Sequence, residues 1–306
     1  LAMLAACLSP RVRARMPALL GLAPLPGLAA ALLAHDATPL VLDDSRLNLT
    51  FSLDPIAAVL LGAASLLWMI AGIYTRSYMG KGPNAARFAQ WWLLTMCGSL
   101  GVFVAGDLLT FYIAFAIVSL AAWGLVAHDD TPPARRAGVL YIGLAVFGEV
   151  CLLLAFALLA AYAPGSSIAI QDVVAALPEN PARHYIIGLL ITGFGLKAGL
   201  LPLHVWLPIA HPAAPMPASA VLSGAIIKAG VIGLILFLPL DPGLTGWGTA
   251  LTVIGLLTAF YAVLVGITQQ NPKTVLAYSS VSQMGGVATV LGMGLATGNA
   301  SATMAA

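Results

Sequence analysis

Stretches of about twenty consecutive apolar residues recur along this chain, and they restrict its fold more than any other feature. A helix rises 1.5 Å per residue, so about twenty such residues cross a bilayer's hydrocarbon core. Inside lipid, every backbone N–H and C=O must be satisfied within the protein, which for long apolar runs means helices. Spans are expected at about 16–34, 55–75, 88–106, 108–127, 137–161, 185–212, 217–238, 247–268 and 275–296. The expected fold class is therefore all-α: a polytopic membrane helix bundle of about nine spans plus an apolar N-terminal stub. Composition agrees, with 60% hydrophobic and only 8% charged residues, against about 25% charged in a soluble domain. The connections are short except at 35–54 and 162–184. The first alternates like a small surface hairpin, and the second holds an amphipathic stretch at Ile168–Leu177 suited to a short surface helix.

No G-x-S-x-G, P-loop or H-E-x-x-H motif occurs, so hydrolytic and nucleotide-driven chemistry have no anchor here. The chain is expected to have no catalytic centre of its own, no cofactor and no nucleic-acid partner. Cys7, Cys97 and Cys151 sit in apolar surroundings without a C-x-x-C pair, which leaves no metal or disulfide framework. Residues 1–8 and the small-residue end ASATMAA read as the cut ends of a longer subunit.

Charge gives orientation. Assigning the loops alternately to two sides places Arg11, Arg13, Arg15, Arg76, Lys81, Arg87, Arg135, Arg136 and Lys273 together, against only Arg46 and Arg183. The positive-inside rule then puts the loops at 9–15, 76–87, 128–136 and 269–274 in the cytoplasm of a cell whose inner (plasma) membrane holds the chain. Asp36, Asp43, Asp44, Asp54, Asp107, Asp172, Glu179 and Asp241 lean to the other side.

Three charges belong to no loop: Glu149, Lys197 and Lys228. A lysine at mid-bilayer costs about 2.5–3.5 kcal/mol on insertion scales, and intramembrane ionisable residues commonly mark ion paths. Lys197 precedes a stretch interrupted by Pro202 and Pro208; proline removes a helix hydrogen bond and clashes with the preceding turn. Broken helices beside buried charge are a mark of transporter sites. The competing reading is a lysine snorkelling from a helix end. Small residues at Ser219, Ser223, Gly224, Ala229, Gly230 and Gly233 would let a neighbouring helix approach Lys228 closely. Glu149 can tune a lysine's proton affinity across a shared cavity or form a fixed ion pair. His204 and His211 can relay protons in neutral form or simply stabilise the broken helix by hydrogen bonds.

The run from Gly193 to Gly230 reads G-x-x-x-K-A-x-x-x-P-L-H-x-W-L-P-x-A-H-x-x-A-P-x-P-x-S-A-x-L-x-G-x-x-x-K-x-G. It resembles the antiporter-like membrane subunits of proton-pumping NADH:quinone oxidoreductase, membrane-bound hydrogenase and formate hydrogenlyase complexes, and Mrp-type Na+/H+ antiporters. DLLTFY at 107–112, SLAAWGLV at 119–126, and Gln270–Lys273 followed by LAYSSVSQMG at 276–285 fit the same family. The resemblance implies inverted five-helix repeats, each with a discontinuous helix bearing a buried lysine. Here that helix is 185–212 with Lys197, and Lys228 belongs to the next. It also implies partners, namely other membrane subunits of a multi-subunit complex, and transport of protons or Na+. The implied division is 1–86 as N-terminal helices with the hairpin-like loop, 87–238 as a complete first repeat, and 247–306 as the truncated start of a second.

The chain departs from the family pattern where a W-E pair is usual on the 108–127 helix; Phe115 and Ala116 stand there. Glu149, one helix later, is expected to replace that acid. The alternative is a non-conducting scaffold that anchors a peripheral partner, as related subunits do in inorganic-carbon uptake complexes.

Overall fold

The computed structural model describes residues 2–298 except 8, 10, 11, 13, 14, 35–37, 45, 46, 81, 82, 164, 166 and 240–243. Arg11, Arg13, Asp36, Arg46, Lys81 and Asp241, and the side chains of Asp43 and Asp44, lie outside the described residues. The helices are α1 (Ala2–Ala6), α2 (Leu25–Leu33), α3 (Pro55–Met79), α4 (Pro83–Gly101), α5 (Leu108–Val126), α6 (Pro132–Ala161) and α7 (Ile170–Ala175). They continue as α8 (Arg183–Ala198), α9 (Trp206–Ala213), α10 (Met216–Val221), α11 (Ile227–Phe237), α12 (Thr245–Gly266) and α13 (Pro272–Thr297). Among the described residues, six segments are long and apolar enough to cross a membrane: α3, α5, α6, α8 with α9, α10 with α11, and α12. The less apolar α4 and α13 are also long, at 19 and 26 residues. The chain is a multi-pass membrane helix bundle.

The expected first span at 16–34 is not one helix. It holds 3-10 turns at Met16–Ala18 and Leu20–Leu22 and then the nine-residue α2. Pro17, Pro24 and Pro26 explain this, since each lacks the N–H a continuous helix needs. The 35–54 connection does form a hairpin: β1 (Leu40–Asp44) pairs antiparallel with β2 (Leu47–Phe51), Leu42 opposite Leu49. The surface helix expected at 168–177 is the shorter α7.

The chain divides into two compact units, Leu1–Val139 with Ala213–Ile226, and Leu140–Pro212 with Ile227–Ala306. In the first unit, caps start the helices. Asp54 accepts from the Ala57 N–H at 2.8 Å ahead of Pro55. Buried Asp107 accepts from the Thr110 N–H at 2.8 Å and from the Thr110 hydroxyl at 2.7 Å. Its carboxylate also takes the Thr50 N–H of β2. With the Phe51–Ala105 bridge, this pins the hairpin to the start of α5. Glycines let α4 and α5 touch: a Cβ on Gly98 would lie 2.4 Å from the Val118 nitrogen. Trp68 and Trp92 meet edge-on at 4.9 Å in this unit's core, and the Trp68 indole donates to Ser99 at 3.2 Å.

In the second unit, α12 and α13 form an antiparallel pair along a glycine seam. A Cβ on Gly248 or Gly255 would lie 2.4–2.5 Å from the Ala296 or Thr289 nitrogen, and one on Gly292 would meet the Thr252 nitrogen at 2.4 Å. Small residues permit such approach between membrane helices, where dispersion rather than water exclusion drives association. Phe156, Phe194 and Phe237 stack into a second core between α6, α8 and α11.

Candidate functional site

The second unit gathers every residue that the sequence singled out for ion chemistry, and α8 positions the first. This helix ends one residue past Lys197, at Ala198, and is capped by Gly199, whose left-handed φ of 79° suits glycine. The Leu200 N–H donates to the Gly195 carbonyl at 2.8 Å and the Gly199 N–H to the Leu196 carbonyl at 3.1 Å. This is the two-bond Schellman termination, which satisfies carbonyls that a helix end would leave open. The Leu196 carbonyl also accepts from the Trp206 indole at 2.9 Å. The interruption runs through Pro202 and a 3-10 turn at Leu203–Val205 before α9 resumes. Pro208 falls in the first turn of α9, where a missing N–H breaks no helical bond.

Lys197 is 3% exposed. Its ammonium donates to the hydroxyl of buried Tyr141 on α6 at 3.0 Å and lies 5.5 Å from that ring's centre. Tyr141 in turn meets Trp206 edge-on at 5.2 Å. Glu149, two turns along α6 and 6% exposed, is within electrostatic reach of both Lys197 and Tyr141. The lysine does not snorkel: it sits in protein, beside the negative C-terminal end of its own helix.

Close helix contact surrounds it. A Cβ on Gly230 of α11 would lie 2.5 Å from the Phe194 carbonyl oxygen and 3.0 Å from the Lys197 Cβ. Gly193 meets Leu152 of α6 in the same way, at 2.6 Å. Lys228, two residues before Gly230, is half-buried and follows a π-helical segment at Leu222–Ile226. Such segments often mark functional positions.

The histidines lie further along the broken helix. Buried His204 meets Tyr261 of α12 edge-on at 5.1 Å and Tyr278 of α13 at 6.5 Å. The Leu201 N–H, inside the interruption, donates to the Thr258 hydroxyl at 3.0 Å. Buried His211 is within electrostatic reach of Lys273 at the start of α13. Tyr141, Thr258 and Tyr261 were not singled out from the sequence. Tyr141 alone carried a signal, a hydroxyl two turns before Glu149 on one helix. Thr258 and Tyr261 are visible only once α12 is folded against the break.

The site is thus a capped, broken membrane helix with a lysine buried at the break. Residues 105–306 match the family model described as NADH:quinone oxidoreductase/Mrp antiporter, TM, and the chain belongs to that family. It is 30% identical over 254 residues to hydrogenase-4 component B of Escherichia coli, covering 81% of this chain and 38% of that protein. It is 31% identical over 227 residues to Na(+)/H(+) antiporter subunit A1 of Staphylococcus haemolyticus, covering 72% of this chain and 28% of that one. The chain thus spans about a third of the length of these relatives. Its fold is shared with a chain of the Mrp complex from Dietzia sp., with a TM-score of 0.81 at 23% identity over 92% of this chain and 31% of the other. It is shared too with a chain of the archaeal membrane-bound sulfane sulfur reductase, at 0.78 and 23% over 95% of this chain and 64% of the other.

Proposed function

We propose that the chain carries part of a proton or cation path in an antiporter-like subunit of a multi-subunit membrane complex. Lys197 is the central carrier, Lys228 the second, and Glu149 the acid that replaces the one missing at Ala116. His204 and His211 relay between them and the far side of the broken helix. The observation that carries this reading is Lys197 itself, buried at a helix break and bonded to Tyr141, whose ring packs on Trp206, with Glu149 in electrostatic reach. A cation kept so deep among neutral groups and one acid is placed to gain and lose a proton as that acid's charge changes.

The finer assignments follow the same reading. The arginine-bearing loops face the cytoplasm across the plasma membrane, 87–238 is one repeat, and 247–306 begins the next. The test is proton flux by the full-length protein in its native complex, reconstituted in vesicles. Lys197→Ala is expected to abolish flux, and Glu149→Gln to lower it at least tenfold, about 1.4 kcal/mol of barrier. A scaffold role is the second reading, favoured by Phe115, which is buried and stacked on Phe111 at 5.8 Å where the family carries its W-E pair. Wild-type flux from the Lys197→Ala protein would establish the scaffold instead.

A further inference from the structure

The first unit holds a cavity of about 530 Å³ lined by Arg87, Trp91, Trp123, His128, Asp130 and Arg135, among others. It lies where α4 and α6 begin and α5 ends, so three helix ends meet there. Its charges are oddly placed. Arg87, Arg135 and Arg136 all fall within the first five residues of their helices, and neither helix has an acid in its first turn. Helix N-termini carry partial positive charge and favour anions, so arginines there are mutually unfavourable without one. Asp130 partly offsets this by binding Arg135 through two contacts of 2.8 and 3.0 Å. Arg87 donates to the His128 carbonyl at 2.9 Å, which orients its guanidinium without neutralising it. Burial first, and then the neighbouring Arg87 charge, pull His128 below the usual histidine range, with Asp129 opposing in part.

The walls suit a lipid. Trp91 and Trp123 meet edge-on at 5.9 Å, and Gly124 makes the room, since a Cβ there would collide with the Trp91 indole. Indoles settle at the headgroup level of a bilayer, and basic pockets between membrane helices hold anionic headgroups. We propose that this cavity binds the phosphate of an anionic phospholipid between Arg87 and Arg135, with the glycerol and upper acyl chain against Trp91 and Trp123.

The test uses the full-length protein in its native complex, stripped of lipid and exposed to phosphatidylglycerol, phosphatidylcholine or inorganic phosphate, with bound lipid counted by native mass spectrometry. Wild-type protein is expected to retain phosphatidylglycerol in preference to phosphatidylcholine and to keep it in excess phosphate. Arg87→Gln with Arg135→Gln should weaken retention about thirtyfold, the order set by two cation–headgroup contacts. Arg87→Lys with Arg135→Lys should restore most of it. Equal retention of the two lipids by wild type overturns the proposal whether or not the glutamine variant folds. Displacement by phosphate would leave a bare anion site and overturn the lipid assignment.

Discussion

Two helices in this chain lose their regular hydrogen bonding next to a lysine, and they do so in opposite ways. After Lys197 the chain stops, caps itself with Gly199 and restarts at Trp206. Before Lys228 it stays helical but widens into a π segment. The first lysine is enclosed, with a named hydroxyl partner; the second is half-buried on a helix that never breaks. A full break lets a tyrosine, itself packed on a tryptophan, close on the ammonium. A π segment only re-aims side chains by one position.

The strongest way to break this contrast is to drive the two helices apart. Gly230→Val places methyl groups where the Phe194 carbonyl and Lys197 Cβ already stand. Overpacking of this kind costs about 1–3 kcal/mol or more, so a large loss of folded, assembled protein is expected on size-exclusion chromatography. Next comes Gly199→Ala, which forces a side chain into the left-handed region and costs about 1–2 kcal/mol. Its melting temperature should fall, whereas alanine at Gly224, on the π segment, should not carry that backbone penalty. The smallest effect is expected from Tyr141→Phe, which removes the acceptor of a charge-assisted bond but keeps the ring. Flux should fall several-fold, in line with the net worth of a single intramolecular hydrogen bond, about 0.5–1.5 kcal/mol. Unchanged flux would mean that the hydroxyl is incidental and the enclosure is purely steric.

Much of the architecture was legible because bilayer thickness and backbone chemistry leave little freedom. The apolar runs located α3, α5, α6, α12 and the paired helices, and the isolated charges located Lys197 and Glu149. The run at 16–34 misled because hydropathy ignores the N–H groups that Pro17, Pro24 and Pro26 lack. The break was legible from Pro202, but its cap was not, since Gly199 is one glycine among many until its φ is seen. The partners of Lys197 and His204 come from helices far away in sequence. Of these, only Tyr141 has a spacing that marks it, two turns before Glu149, and the close packing of α8 on α6 and α11 brings both to the lysine.

The indole bond from Trp206 back to the Leu196 carbonyl has a mechanical meaning. It ties the resumed helix to the last turn of the one before, across the interruption. A joint stapled in this way is a brace and not a hinge. To swing one half-helix against the other would first break this bond and leave the Leu196 carbonyl without its indole donor.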